Sequence, residues 1–200
     1  MNKQIVLATS NKGKLQEYRQ ILAPGGYTIY SPADLNIDCD PDEVGTTYRE
    51  NALIKAKAVQ KVTKMPIIAD DSGLEIMALD NRPGMQSARY AASMGGHDNA
   101  IKQILKDLES KDDRSARFVC DIVLLNVDDK PLTFEGIAKG KIATEKHGEG
   151  GFGYDPIFIS DETGTCFATM KEGEKNTVSH RAKALNKLLI YLKINGFVPL

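Results

Sequence analysis

The chain opens with a short apolar segment. A polar loop follows it, and then a stretch with helical spacing of apolar residues. Residues 4–9 predict a buried strand, and residues 12–22 predict a helix that ends before a Pro-Gly-Gly turn. A second short strand is predicted at residues 27–30. A strand that leads into a helix and back to a strand buries the helix against a sheet, so this order restricts the chain to folds in which helices cover a sheet.

Later segments add longer strands of a different kind. Residues 116–127 and 132–142 predict two strands, and the Asp-Asp-Lys-Pro turn between them makes the pair an antiparallel hairpin. Thr47 and Glu50 form a capping box that predicts the start of a helix reaching about residue 64, and Ser179 is predicted as the N-cap of the last helix. A further helix is predicted at residues 98–109, a turn at residues 82–84, and short strands at residues 67–69, 74–77 and 157–159. Together, the βα units and the hairpin predict an α/β fold with a mixed central β-sheet flanked by helices, in which the hairpin extends into a second lobe.

The charge balance excludes one class of partner. The 26 Lys and Arg residues nearly cancel the 27 Asp and Glu residues and leave a net charge of −1. Proteins that track a nucleic-acid backbone carry a basic excess, so we expect no nucleic-acid partner. Locally gathered lysines still suit a small anion such as a phosphate. With 42% hydrophobic residues, the 200-residue chain suffices for a single domain over residues 1–200.

The cysteines and the apolar runs indicate in which cellular compartment the protein is expected. Cys39, Cys120 and Cys166 are odd in number and form no CxxC pair, so we expect neither a disulfide framework nor a zinc cluster. This pattern favours a reducing, cytoplasmic setting. The apolar run at residues 5–8 is far shorter than the roughly 20 residues that span a bilayer, so we expect no association with a membrane.

The loop between the first strand and the first helix is a candidate anion site. Hydroxyls, backbone N–H groups, a helix N-terminus and two lysines converge there. The residues are Thr9, Ser10, Asn11, Lys12, Gly13 and Lys14. The upstream glycine of a P-loop is missing and Leu15 follows Lys14, so this is not a P-loop. An ordinary strand-to-helix turn capped by Thr9 or Asn11 is the alternative.

Two adjacent carboxylates, Asp70 and Asp71, follow a strand and precede Ser72 and Gly73, a composition that predicts a break in the strand. In an extended chain the two point to opposite sides, so only one faces a given ligand. Joined by a carboxylate from the acidic segment before residue 47, such a residue provides the oxygen ligands that Mg²⁺ prefers. A plain turn is the alternative.

The segment at residues 148–155 is the most glycine-dense of the chain. It contains a literal GxGxxG, but Pro156 and an apolar strand follow it instead of a helix, which excludes a dinucleotide-binding loop. A loop that presents Phe152, Tyr154 and Asp155 to a base is the functional interpretation, and a hydrophobic anchor between strands is the alternative.

Basic side chains gather near the start of the last helix. Lys175, His180 and Arg181 lie where the helix dipole favours an anion or a polar ligand edge. A solvated surface pair of His180 and Arg181 is the alternative.

Six motifs in one order carry a family resemblance. They are TSNKGK, EVGTTYRENALIKA after the acidic segment, ADDSGLE, RPGMQSARYA, GFGYDPIF and EKNTVSHRAKAL. Taken together they resemble the inosine triphosphate pyrophosphatase family, also called Ham1-like, from about residue 5 to residue 192. The resemblance implies a two-lobed fold with the active site in the cleft, a homodimer, and Mg²⁺-dependent hydrolysis of dITP, ITP and XTP to the monophosphate and pyrophosphate.

The resemblance also implies roles for single residues. Residues 9–14 and Lys55 bind the triphosphate, Ser72 touches the substrate, and Asp71 binds the metal and accepts the proton of the attacking water. The base contacts are Phe152, Gly153, Tyr154, Asp155, Lys175, His180 and Arg181. Alignment on Gly45 makes Asp42 the second metal ligand, with Glu43 as the alternative, because the usual Glu-Glu-Thr-Gly reads Asp-Glu-Val-Gly here.

Two other functions compete with this interpretation. A Maf-like pyrophosphatase acts on pyrimidine or modified nucleotides and is separated by its substrate profile. A non-catalytic nucleotide sensor binds triphosphates through the lysines alone. The carboxylates of Asp42 and Asp71 argue against a non-catalytic sensor, because negative charge beside phosphates is unfavourable unless a cation binds there.

Overall fold

The computed structural model of the protein describes residues 3–195, with the side chain of Glu172 left aside. The strands are β1 (Lys3–Leu7), β2 (Tyr27–Tyr30), β3 (Ile67–Ile76), β4 (Arg82–Gly84), β5 (Ser115–Leu125), β6 (Leu132–Ile142) and β7 (Phe158–Ser160). The α-helices are α1 (Lys12–Leu22), α2 (Tyr48–Gln60), α3 (Ser87–Ser93), α4 (His97–Asp107), α5 (Glu172–Val178) and α6 (His180–Asn195).

The strands form a mixed sheet in the order β2-β1-β3-β5-β6-β7, with β4 paired to β3. β1 runs parallel to β2 and β3, whereas β4 is antiparallel to β3 and β7 is antiparallel to β6. The predicted α/β fold with a mixed, helix-flanked sheet is therefore confirmed.

The chain divides into two compact units. The first contains the described residues up to Asp71, Cys120–Glu135 and those from Ala184 onward, and the second contains Ser72–Val119 and Gly136–Lys183. The single domain over residues 1–200 stays a prediction, and its first two and last five residues lie outside the described residues.

Alternation along β1 explains how the first unit buries its part of the sheet. Ile5 and Leu7 pack in one cluster with residues of α1 and α6, whereas Val6 packs in another with Ala52 and Ala56 of α2. Successive side chains of a strand point to opposite faces, so helices cover both faces of this part of the sheet. The second unit has its own core, in which Ile101 of α4 packs with strand residues.

The predicted break at residues 70–73 was wrong, because β3 continues through these residues. Arg82, Pro83 and Gly84 were predicted as a turn, but they form β4 and pair with Ile76, Glu75 and Leu74. Turn composition is a local signal, and here long-range strand pairing outweighs it. The short helices α3 and α5 were not predicted.

Two helix starts were predicted from their caps. Thr47 Oγ1 accepts the Glu50 N–H at 3.1 Å, and Ser179 Oγ accepts the Ala182 N–H at 3.1 Å. The other half of the predicted capping box is different: the Glu50 carboxylate accepts from the N–H and the hydroxyl of Thr46, at 2.6 and 2.8 Å. Glu50 thereby holds the end of the acidic loop, defined here as residues 31–46, to the first turn of α2.

Candidate active site

The loop between β1 and α1 is organised around Asn11. Its Oδ1 accepts the Lys14 N–H at 3.0 Å, and its own N–H donates to Thr9 Oγ1 at 3.2 Å. Asn11 is therefore the N-cap, as the alternative of an ordinary capped turn requires. Ser10 and Lys12 are exposed beside it. A capped helix N-terminus still offers its first N–H groups and its positive dipole end to an anion.

Asp70 and Asp71 contact different partners, as their opposite directions along β3 predict. Lys14 Nζ lies 3.1 Å from Asp70 Oδ1, and the Cys120 Sγ–H donates to Asp70 Oδ2 at 3.6 Å. The Asp70 side chain is fully buried, and that of Lys14 is 13% exposed. Lys14 is thus held by a buried carboxylate within the first unit.

Asp71 has a donor on each carboxylate oxygen. Lys55 Nζ lies 3.4 Å from Oδ1, and Asn51 Nδ2 donates to Oδ2 at 3.3 Å. The same Lys55 ammonium lies 2.8 Å from Glu43 Oε1 in the acidic loop. We call Glu43, Asn51, Lys55 and Asp71 the Asp71 group. One ammonium between two carboxylates offsets part of their mutual repulsion.

Asp42 and Glu43 differ in their surroundings. Glu43 is half-buried and contacts Lys55, whereas Asp42 is exposed. The structure therefore brings the alternative ligand, Glu43, into the Asp71 group. The metal assignment of Asp42, which rests on alignment at Gly45, stays a prediction.

Burial and charge act in opposite directions on Lys55 and Asp71. Burial alone would lower the pKa of Lys55, but the carboxylates of Asp71, Asp70 and Glu43 outweigh it and raise that pKa. Burial raises the pKa of the Asp71 carboxyl, although the charges of Lys55 and Lys14 oppose the rise. Lys55 is therefore a permanent cation at neutral pH, and Asp71 is a stronger base than an aspartate in water.

The glycine-rich loop of the second unit is tied together by Asp155. Its Oδ2 accepts from Lys175 Nζ at 2.6 Å and from the Phe152 N–H at 2.9 Å. Lys175 and Asp155 are both buried, and the Lys175 ammonium lies 4.7 Å from the centre of the Phe152 ring. Gly151 has a φ of +69°, and a Cβ there would collide with the Asp155 carboxylate. We call Phe152, Asp155, Lys175 and Arg181 the Phe152 group.

Arg181 and His180 are buried instead of forming the solvated surface pair that was the alternative. The Arg181 guanidinium carbon lies 5.6 Å from the Phe152 ring centre, and Nη2 donates to Ser72 Oγ at 3.0 Å. The His180 ring stacks on Phe118, with ring centres 4.6 Å apart. Arg181 is only 1% exposed, so its charge acts in a low-dielectric environment.

Tyr154 is turned toward the core of the second unit. It is 3% exposed, its hydroxyl donates to Ser87 O at 2.7 Å, and burial raises the pKa of that hydroxyl. These contacts favour the alternative that Tyr154 anchors the loop. Phe152 is the half-buried ring of the segment, and Gly153, with a φ of +66°, permits the turn between the two rings. The predicted contacts with the nucleotide base stay predictions for all four residues of this segment, Phe152, Gly153, Tyr154 and Asp155.

Asn51 is the main residue of the site that sequence reasoning missed. It lies inside the ENALIKA motif, four residues before Lys55, so helical spacing predicts that the two share a face of α2. That spacing is the signal that points to Asn51.

Within residues 3–195, no group of three or more His, Cys, Asp and Glu side chains is placed to hold a metal ion.

The sequence model of the Ham1 family matches residues 5–191. The chain belongs to the Ham1 family. Two relatives show how far the likeness to curated proteins extends. The dITP/XTP pyrophosphatase of Bacillus subtilis is 43% identical over 188 residues, covering 93% of this chain and 95% of the relative. The dITP/XTP pyrophosphatase of Haemophilus influenzae is 43% identical over 192 residues, covering 94% of this chain and 98% of the relative.

Solved Ham1 structures agree with the fold. The Staphylococcus aureus Ham1 protein is 38% identical and superposes with a TM-score of 0.85, covering 96% of this chain and 100% of that one. A Ham1 protein from Coxiella burnetii is 40% identical, with a TM-score of 0.85 and coverage of 96% and 99%. Likeness over nearly the whole of both chains means that this protein has the full Ham1 fold.

Among residues 3–195, every helix is too short or too polar to cross a bilayer.

Proposed function

We propose that the protein is a Mg²⁺-dependent nucleoside triphosphate pyrophosphatase that hydrolyses dITP, ITP and XTP to the monophosphate and pyrophosphate. It would thereby remove deaminated purines from the nucleotide pool. The Asp71 group carries the proposal, because it combines a buried carboxylate base, a permanent cation and a second carboxylate. The names of the relatives from Bacillus subtilis and Haemophilus influenzae support the same activity.

Lysines of the first unit bind the phosphates in this proposal. A triphosphate carries about four negative charges at neutral pH, and the departing pyrophosphate gains charge as the anhydride bond breaks. Lys55 is a permanent cation, and Lys14 lies in the first turn of α1, whose N-terminal dipole also favours an anion. These groups would stabilise the leaving pyrophosphate. Residues 9–13 would contribute backbone N–H groups and hydroxyls to the same phosphates.

Asp71 accepts the proton of the attacking water. Water adds across the bond between the α- and β-phosphates: its oxygen bonds to phosphorus, the bridging oxygen leaves with pyrophosphate, and a proton is released. A carboxylate whose pKa is raised by burial accepts that proton more readily than a solvated one. Asn51 and Lys55 each contact a single oxygen of Asp71, and each oxygen has a further lone pair to accept another hydrogen bond.

The donor set fits Mg²⁺. The ion prefers oxygen ligands and is usually bound by one or two carboxylates, with waters and substrate phosphates completing its shell. Asp71 and a carboxylate of the acidic loop would hold it, and when bound it neutralises phosphate charge. Two protein carboxylates suffice for such a site.

The Phe152 group would recognise the base. Hypoxanthine and xanthine carry a 6-keto group where adenine carries an amino group. The Arg181 guanidinium can only donate, so it suits the keto oxygen, and an adenine amino group facing it would cost about 1–3 kcal/mol. Phe152 offers a ring for stacking, Lys175 would support that ring, and Lys175 and His180 would contact the base edge.

A substrate panel tests the proposed function. Purified protein with Mg²⁺ is assayed for pyrophosphate release from dITP, XTP, ATP, GTP and dUTP. We expect the highest kcat/KM with dITP and XTP. Preference for dUTP would support the Maf-like alternative instead. Triphosphate binding without pyrophosphate release would support a sensor, and either result would refute the proposal.

Paired variants decide which acidic-loop carboxylate holds the metal. We propose Glu43, because it shares Lys55 with Asp71. Glu43→Gln is expected to raise the Mg²⁺ concentration for half-maximal activity by at least about 10-fold, and Asp42→Asn is expected to change it by less than about 2-fold. Magnesium titrations at saturating dITP measure both. The reverse pattern would assign the metal to Asp42.

We also propose a homodimer in the cytoplasm. Cys39, Cys120 and Cys166 are odd in number and form no CxxC pair, a pattern that favours a reducing compartment. Met85 and Met94, which flank α3, are partly exposed and offer apolar surface to a second copy. Light scattering after size-exclusion chromatography measures the mass, and about 44 kDa is expected for two 21.9 kDa chains.

A further inference from the structure

Asn51 joins two segments of the first unit through the two ends of one amide. Its Oδ1 accepts the Gly45 N–H of the acidic loop at 2.8 Å, and its Nδ2 donates to Asp71 Oδ2 at 3.3 Å. The residue is 4% exposed, so water does not compete for either contact. An amide offers a donor and an acceptor side by side, and here each end is used.

The contact with Gly45 depends on close approach of the backbone. A Cβ at position 45 would lie 2.6 Å from Asn51 Oδ1 and 2.7 Å from Glu50 Cβ, both closer than real contacts. Thr46 adds two hydrogen bonds to the Glu50 carboxylate. The loop residues that directly follow Glu43 are therefore fastened to the first turns of α2.

The contact with Asp71 needs a neutral donor. A carboxylate at position 51 would repel Asp71, and a cationic side chain would add a permanent charge beside a base that must accept a proton. An amide fixes one oxygen of Asp71 without adding charge, while Lys55 contacts the other oxygen at 3.4 Å. With both oxygens anchored, rotation of the carboxylate is restricted.

We infer that Asn51 is a positioning residue that aligns the Asp71 carboxylate and, through Gly45, holds the acidic loop carrying Glu43 against it. This inference rests on the proposed function, because it assigns Asn51 a part in the hydrolysis. Asn51 acts through Asp71 and Glu43 and does not itself touch the reacting atoms.

The variant Asn51→Asp separates the two contacts. One carboxylate oxygen still accepts the Gly45 N–H, but the other faces Asp71 without a hydrogen to donate. We expect kcat for dITP to fall by at least about 10-fold, with KM within about 3-fold of the wild type, because phosphate-binding lysines are untouched. Asn51→Ala removes both contacts and is expected to lower kcat as well.

Hydrogen exchange of the Gly45 amide provides a readout without nucleotide or metal. Asn51→Ala is expected to speed that exchange, because the amide loses its acceptor. Asn51→Asp is expected to leave it near the wild-type rate. Gln60→Glu is the matched control: this amide, also on α2, donates to Asn126 Oδ1 at 2.7 Å, and kcat should not change.

The outcomes distinguish the inference from the proposed function. If the wild type releases no pyrophosphate from dITP, the proposed function falls and the inference falls with it. If the wild type is active and Asn51→Asp keeps kcat within about 3-fold, the inference alone is overturned. Equal acceleration of Gly45 exchange in both Asn51 variants would also overturn it, because the kcat loss would then reflect a displaced loop.

Discussion

Replacement of Asp71 by Asn is expected to reduce kcat for dITP by about 10³-fold, the typical contribution of a general base. Asn has nearly the same shape but accepts no proton from water, and it is a weaker ligand for a divalent cation. The Asn51 and Lys55 side chains remain around the new amide. Pyrophosphate release at saturating dITP and Mg²⁺ measures the effect.

The loss of activity in Asp71→Asn is expected to come without a loss of stability. Burial raises the pKa of Asp71, which means that the fold disfavours its charged form. A neutral Asn removes that cost at neutral pH, so the Tm of the variant should equal or exceed that of the wild type. Asp129→Asn, in the exposed turn between β5 and β6, is the control and should alter neither quantity. Wild-type kcat in Asp71→Asn would refute its role as the base.

Replacement of Lys175 by Met is expected to cost about 3–5 kcal/mol of stability, because it removes the ammonium from a buried ion pair with Asp155. The ion pair is short, at 2.6 Å, and its side chains are only 9% and 4% exposed. For a chain of this size, the loss corresponds to a Tm lower by about 10 °C. Thermal unfolding followed by circular dichroism measures it.

Two further variants show whether charge or packing explains that loss. Lys175→Met combined with Asp155→Asn removes both charges and leaves an amide oxygen for the Phe152 N–H, so most of the lost Tm should return. Lys146→Met breaks an exposed pair with Asp98, with 43% and 77% exposed side chains, and should cost about 1 kcal/mol or less. A double variant no more stable than Lys175→Met would show that lost packing dominates.

Helix starts were predicted well because their signals are local. Thr47, Ser179 and the segment before Lys12 place a side-chain acceptor a few residues ahead of the N–H group that it caps. The continuous apolar run of β1 was equally readable, since a strand that is buried on both faces needs apolar side chains in both directions. These features need no knowledge of distant residues.

The residues at positions 70–73 were misread for the opposite reason. Two aspartates, a serine and a glycine have the composition of a turn, but their polar groups find partners far away in the sequence. Lys14 and Cys120 contact Asp70, and Lys55 and Asn51 contact Asp71. Composition cannot reveal such partners, so the continuous β3 was not predictable from it.

The order of six motifs along the chain determines the family, and local spacing determines most helices and strands. Only the tertiary structure decides which side chains pair: that Glu43 instead of Asp42 meets Lys55, and that Tyr154 turns into the core. It also decides that Asn51 spans Gly45 and Asp71. The physical reason is that backbone propensities act between near neighbours, whereas burial and hydrogen bonding of a polar group depend on residues brought close by folding.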